Sequence, residues 1–173
     1  RSGELMHKQQ MDFARQAIED YDEPIKSVTE FGSLNINGTV RDLFDAEFYV
    51  GIDIGKGPGV DIVCRAHEYQ GPQTDCVISC EMLEHDLYWQ RSLVAMCEHL
   101  KPGGLLIVTC ATTGRAEHGT TKRRPGSAPF VGDYYRNLTQ ADVEPHLIGL
   151  EHIEFSVNTD HKDLYLRAIK RED

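Results

Sequence analysis

Short apolar runs recur along the first two thirds of the chain: residues 26–31, then "FYVGIDI", "VDIVC", "DCVISC" and "LLIVTC". Buried on both sides and interleaved with helical segments, such runs are the signature of a mostly parallel sheet covered on both faces. The helical segments are residues 39–45 and "YWQRSLVAMCEHL". Ahead of them, Leu5, Met6, Met11, Phe13, Ala14, Ala17 and Ile18 recur at roughly helical spacing, which predicts an amphipathic helix over residues 1–22, ended by Pro24. After Cys110 the rhythm fails. Residues 112–137 carry glycines, prolines, hydroxyls and charges without periodicity, and a loop of that length in a compact domain is functional or disordered as a rule. A lid or substrate loop, mobile in the absence of substrate, is expected there. Thr139 then caps a short helix, and "LEHIEFSVNT" and "DLYLRAIKR" form an alternating pair joined by a tight polar link, an antiparallel closure of the sheet.

At 173 residues the chain suits one domain with one active site, residues 1–173. Its 28 acidic against 18 basic residues leave a charge of -10, which repels phosphate backbones and makes nucleic acid a poor partner. No apolar run reaches the roughly 18 residues of a membrane span, and five cysteines without a C-x-x-C pair read as reduced core thiols, so a cytoplasmic location is expected. The first residue is Arg1 rather than methionine. A trimmed chain is one expectation, and excision from a longer polypeptide with covalent fusion to other domains is the other.

In open α/β sheets ligands bind beyond the carboxyl ends of the strands. After the first strand stand Glu30, Gly32, Ser33, Asn35, Asn37 and Gly38, where glycines admit a close ligand. Asp53 ends the second strand, about twenty residues past that turn, as a carboxylate accepting a ribose diol requires. A turn cap is the plain structural role for Asp53, but together the features favour a nucleoside ligand.

Four pieces in order, "VTEFGSLNINGTVR", "YVGIDIGKGPGVDIV", "DCVISCEMLEH" and "LKPGGLLIVT", resemble the class I S-adenosylmethionine-dependent methyltransferases. The resemblance implies a Rossmann-like α/β fold: a mostly parallel seven-stranded sheet, last strand antiparallel, with helices on both faces. It also implies S-adenosylmethionine as cofactor, at Glu30, Gly32, Ser33, Asn37, Gly38, Asp53, Ile54, Ala66, His67 and Ser79. The chain departs from the family in two places. Leu34 and Ile36 stand where an E-x-G-x-G-x-G turn has glycines, and Arg65 stands where many relatives place an acid for adenine, which leaves adenine to the Ala66 and His67 backbone or to Glu68.

Glu81, Glu84 and His85, spaced i, i+3 and i+4, would share one face of a helix opening after the fourth strand. Oxygen and nitrogen ligands suit Mg²⁺, Mn²⁺ or Zn²⁺. The same residues also serve packing in metal-free methyltransferases. His118, in the irregular loop, can fold back over the site, and the set resembles the E-x-x-E-H face and distal histidine of metal-dependent O-methyltransferases. That resemblance implies Glu81, Glu84, His85 and His118 as ligands of Mg²⁺ or Mn²⁺, with His118 and His85 the catalytic candidates; without metal, His118 is a general base or a solvated loop residue. Lys122, Arg123 and Arg124 would meet a phosphate or sugar-nucleotide acceptor, or be solvated. Tyr134 and Tyr135 would stack on a sugar or pack the loop down, and His7, His99, His146, His152 and His161 read as surface or packing residues. The expected activity is O-methylation of a small-molecule or saccharide acceptor. The rivals are 2′-O-methylation of RNA and a non-catalytic cofactor-binding subunit.

Overall fold

The computed structural model describes residues 2–173, with side chains from Lys8 onward; the expectations for Leu5, Met6 and His7 fall outside the described side chains. Helix α1 spans Ser2–Glu19 and is followed by β1, Ser27–Phe31. Strands β2 (Phe48–Asp53) and β3 (Ile62–Val63) come next, then β4 (Thr74–Cys80), α2 (Trp89–Glu98) and β5 (Leu100–Ala111). The chain closes with α3 (Gln140–Val143), β6 (Leu150–Asn158) and β7 (Asp163–Lys170).

These strands form one seven-stranded sheet in the order β3-β2-β1-β4-β5-β7-β6. All neighbouring pairs are parallel except those made by β7, which runs antiparallel to both β5 and β6. Strand alternation sorts the core into two layers. Cys76 and Ile78 of β4 pack with Ala14 and Ala17 of α1, and Val77 between them packs with Leu93 and Met96 of α2 on the other side. Phe31, Ile52, Leu106 and Ile107 are fully buried, each such side chain contributing about 1.5–3 kcal/mol by leaving water. At the amino end of β4, Asp75 Oδ2 accepts from the N–H groups of Lys26 and Ser27 at 2.9 and 2.8 Å, which pins the start of β1 beside β4.

Two helical expectations need correction. Residues 39–45 form a single 3₁₀ turn, Val40–Leu43, because Thr39 Oγ1 accepts from Arg41 N at 3.1 Å and Phe44 turns extended to pack into the α1 layer. Only a few residues then remain before β2. The "EMLEH" segment is likewise no helix. The N–H of Glu81 donates to Thr109 O at 2.9 Å, prolonging the β4–β5 pairing; Glu81 adopts φ 53, and only Leu83–His85 makes a 3₁₀ turn. The face shared at i, i+3 and i+4 therefore does not form. Among the described residues, no helix is long and apolar enough to cross a membrane, and all five cysteines are unpaired, Cys76, Cys97 and Cys110 being buried.

Burial separates the sheet's centre from its edge. Leu106→Ala should cost about 2–5 kcal/mol in urea unfolding, the range for a buried leucine truncated to a cavity, whereas Ile62→Ala on the exposed edge strand should stay within about 0.5 kcal/mol.

Candidate active site

Because β1 leads outward to β2 and β3 while β4 returns to its other side, a crevice opens above the carboxyl ends of β1 and β4. A cavity of about 830 Å³ fills it, within the range that holds a small ligand or cofactor. Gly32 forms its floor with φ +80, and a Cβ there would lie 2.6 Å from Met82 Cβ, so no side chain fits between the β1 turn and the end of β4. Asp53 holds the turn in place: Oδ2 accepts from Leu34 N and Oδ1 from Gly55 N, both at 3.1 Å. A carboxylate has about four acceptor positions, so lone pairs remain for ribose hydroxyls. Ser33 Oγ is buried without a partner. Glu30 is buried beneath the turn, where Tyr49 donates to its Oε2 at 2.6 Å, and burial pushes its carboxyl up to about 7 despite that bond.

Of the expected cofactor contacts, Glu30, Gly32, Ser33, Asn37, Gly38, Asp53, Ile54 and Ala66 all face this cavity. Two do not. Ser79 shares the alternation of Val77 and is buried within the sheet, leaving its neighbour Cys80 to reach the cavity. The His67 ring turns away onto Tyr88, at 4.8 Å between centroids, while Arg65 lines the cavity with its guanidinium 5.1 Å from the same tyrosine ring.

At the other end of the crevice His85 and His118 line the cavity with Glu84 buried behind them, and each offers a ligand atom, all within 4.8 Å of one another. Both Glu84 carboxylate oxygens and His85 Nδ1 are buried without hydrogen-bond partners. His118 Nδ1 lies 3.0 Å from Ala116 O; a carbonyl only accepts, so Nδ1 carries the proton and Nε2 keeps a lone pair. The imidazoles meet edge to face at 4.8 Å, with the Tyr135 ring 5.6 and 5.0 Å from them. Gly119 explains the closeness: a Cβ there would strike His85 Cε1 at 2.7 Å. Burial pushes His85 down to about 3, the neighbouring His118 adding to it, and burial also lowers His118. Both rings are therefore neutral at physiological pH, the form that ligates metals and accepts protons. Glu81 stands outside this trio. It accepts from Gln10 of α1, and burial followed by the charge of Glu84 raises its pKa well above the carboxylate range.

Sequence reasoning missed the residues that complete this end. Asp163, the first residue of β7 and the register partner of Ala111, is fully buried and pairs with Arg115 at 2.5 Å. Burial, reinforced by Glu81, pushes its carboxyl up to about 7. Arg115 also donates to His161 O, and its own carbonyl accepts from Asn137 Nδ2 at 3.0 Å, so both ends of the 112–137 loop are tied together. Pairing the ends of β5 and β7 on paper would have put Asp163 at this edge. Nothing in the sequence marks Arg115.

No protein-family model and no curated protein matches the sequence. Solved structures do. The N-methyltransferase NodS from Bradyrhizobium japonicum superposes with TM-score 0.64 at 15% identity, covering 96% of this chain and 97% of that one. Phosphoethanolamine N-methyltransferase 2 of Haemonchus contortus, in complex with S-adenosyl-L-methionine, gives 0.69 at 15% identity over 95% of this chain and 52% of that one. Magnesium protoporphyrin IX methyltransferase of Synechocystis, with bound S-adenosylmethionine, gives 0.66 at 14% identity over 96% and 80%. The chain has the S-adenosylmethionine-dependent methyltransferase fold.

Glu30 sets a pH dependence. An acid whose folded-state pKa lies above its unfolded one keeps its proton in the native state while the unfolded chain has lost it, so its contribution to stability falls as pH rises through that interval, here about 4.5 to about 7. In metal-free buffer the thermal midpoint should decline between about pH 5 and 7.5, and more shallowly in Glu30→Gln, whose amide oxygen still accepts from Tyr49.

Proposed function

We propose that this chain is an S-adenosylmethionine-dependent O-methyltransferase acting on a hydroxyl of a small or saccharide acceptor, assisted by a divalent metal ion such as Mg²⁺ or Mn²⁺. The observation that carries the proposal is the convergence of His85 and His118, which line one end of the β1–β4 cavity, with Glu84 buried directly behind them. Three donors of oxygen and nitrogen type, with unsatisfied buried atoms on Glu84 and His85, suit a divalent cation. The surroundings favour one as well. Glu84 and Asp163 are buried, and Glu81 half-buried with its Oε2 enclosed, beside Arg115, an anionic excess that protons or a cation must balance.

At the cofactor end, Asp53 would accept from the ribose hydroxyls and the Gly32 turn would lie against the methionine part. Bound S-adenosylmethionine supplies a methyl group activated by its sulfonium, and a divalent ion at the trio would lower the acceptor hydroxyl's pKa. The protein's own task is to bring hydroxyl and methyl into line and exclude water, which accounts for much of the rate in such transfers. His118 Nε2, neutral and fixed by the Ala116 carbonyl, is the group suited to take the hydroxyl proton where no metal engages it. Tyr135 packs against both rings, and its own hydroxyl donates to Asn137 Oδ1 at 2.7 Å, so it holds the imidazoles in place.

Because NodS and the Haemonchus enzyme are N-methyltransferases, N-methylation is the rival reading, and metal dependence separates the two. EDTA should abolish turnover of a hydroxyl acceptor while leaving calorimetric S-adenosylhomocysteine affinity within about twofold, and Mn²⁺ should restore it. His118→Ala should be about as slow as the chelated enzyme, and the two losses should not add, since they disable one unit. Full turnover in excess chelator would remove the metal from the proposal.

A further inference from the structure

Beside the His85–His118 end of the cavity the chain makes a tight turn carrying three consecutive cations. Thr120 N donates to Arg123 O at 3.1 Å and Arg123 N returns the bond to Thr120 O at 3.2 Å, while Gly119 N donates to Arg124 O at 3.2 Å. Asp133 fixes the tip by accepting from Thr121 N and Oγ1 at 2.8 and 2.5 Å. Lys122, Arg123 and Arg124 all line the cavity and are exposed, and among the described residues none forms an ion pair. Three adjacent, unpaired cations on a closed turn repel one another, and that arrangement is at its most stable with an anion between them. Asp133 and Glu117, held by Thr121 and Thr120, set two carboxylates near these three cations, with Lys122 acting on Asp133, and the turn still carries a net positive charge in a chain of net charge -10.

The turn is coupled to the chemistry by covalent proximity. Gly119 packs on the His85 ring and His118 precedes it, so one segment supplies both the imidazole and the basic cluster. We propose that Lys122, Arg123 and Arg124 bind a phosphoryl group of the acceptor while its hydroxyl lies at the His85–His118 end, which makes the acceptor a phosphorylated or nucleotide-linked small molecule. This rests on the methyltransferase reading above. Arginine forks and a lysine point charge match a diphosphate's several oxygens. The methyl donor would leave this role open, since its sulfonium and amino groups are cations and its one carboxylate would lie with the methionine part, proposed above to rest against the Gly32 turn. A long polyanion is disfavoured by the chain's net charge of -10.

The test is calorimetric titration of inorganic pyrophosphate into the S-adenosylhomocysteine-saturated chain, in EDTA so that no metal carries the anion. Wild type should bind, and the combined Lys122→Ala, Arg123→Ala, Arg124→Ala variant should bind at least about tenfold more weakly, the loss expected for charge-assisted hydrogen bonds, with S-adenosylhomocysteine affinity unchanged. Equal pyrophosphate affinity in the two proteins, or none in wild type, would overturn the proposal. So would a single-stranded RNA oligomer binding wild type far more tightly than pyrophosphate, since that marks a polyanion site. Failure of S-adenosylhomocysteine to bind at all would instead count against the methyltransferase reading.

Discussion

Strand β1 lies between β2 and β4, parallel to both, and everything functional hangs on that pairing. From β1 the chain can build outward only on one side, through β2 and β3, before crossing back to lay β4 on the other. The connections leave in opposite directions, so the carboxyl ends of β1 and β4 stand uncovered side by side. Asp75 fixes the pair at its amino end through the backbone of Lys26 and Ser27. At the open end Gly32 and Met82 approach so closely that the floor of the cavity is one wall made of two strand exits.

The far wall is an electrostatic problem with a structural solution. Glu81 reaches the cavity from β4's exit, and Glu84 and, from β7's start, Asp163 lie buried beside it. Arg115 compensates one of them, and it reaches the cluster only because Asn137 and the His161 carbonyl hold the loop in position. A buried arrangement of this kind is costly unless balanced. It stands beside two neutral imidazoles, and the proposed function follows from that adjacency.

The strands and the antiparallel closure were legible because apolar runs of strand length leave little choice of architecture, and the turn at Gly32 with Asp53 beside it because strand-end glycines and carboxylates shape such turns, as Asp53 does through Leu34 N and Gly55 N. The short connections were not. Residues 39–45 and 81–85 have helix-compatible composition, but tertiary demands shorten both: Phe44 is pulled into the core and the Glu81 N–H into the β4–β5 ladder. The sequence grouping of Glu81, Glu84, His85 and His118 is reduced by the same effect to three side chains in mutual reach. Helical spacing groups Glu81 with Glu84 and His85, whereas the actual backbone turns Glu81 toward Gln10 and lets His118 complete the trio. Arg115 was invisible for a different reason, since its pairing with Asp163 joins positions 48 residues apart whose meeting depends on β7 inserting beside β5.

Crystals grown with S-adenosylhomocysteine and soaked in Mn²⁺, measured at an anomalous wavelength, test the whole arrangement at once. The expected result is adenosyl density in the β1–β4 cavity with ribose hydroxyls on Asp53, and one anomalous peak among Glu84, His85 and His118. Well-ordered protein with an empty cavity at saturating S-adenosylhomocysteine, or with the nucleoside bound away from Asp53, would contradict it.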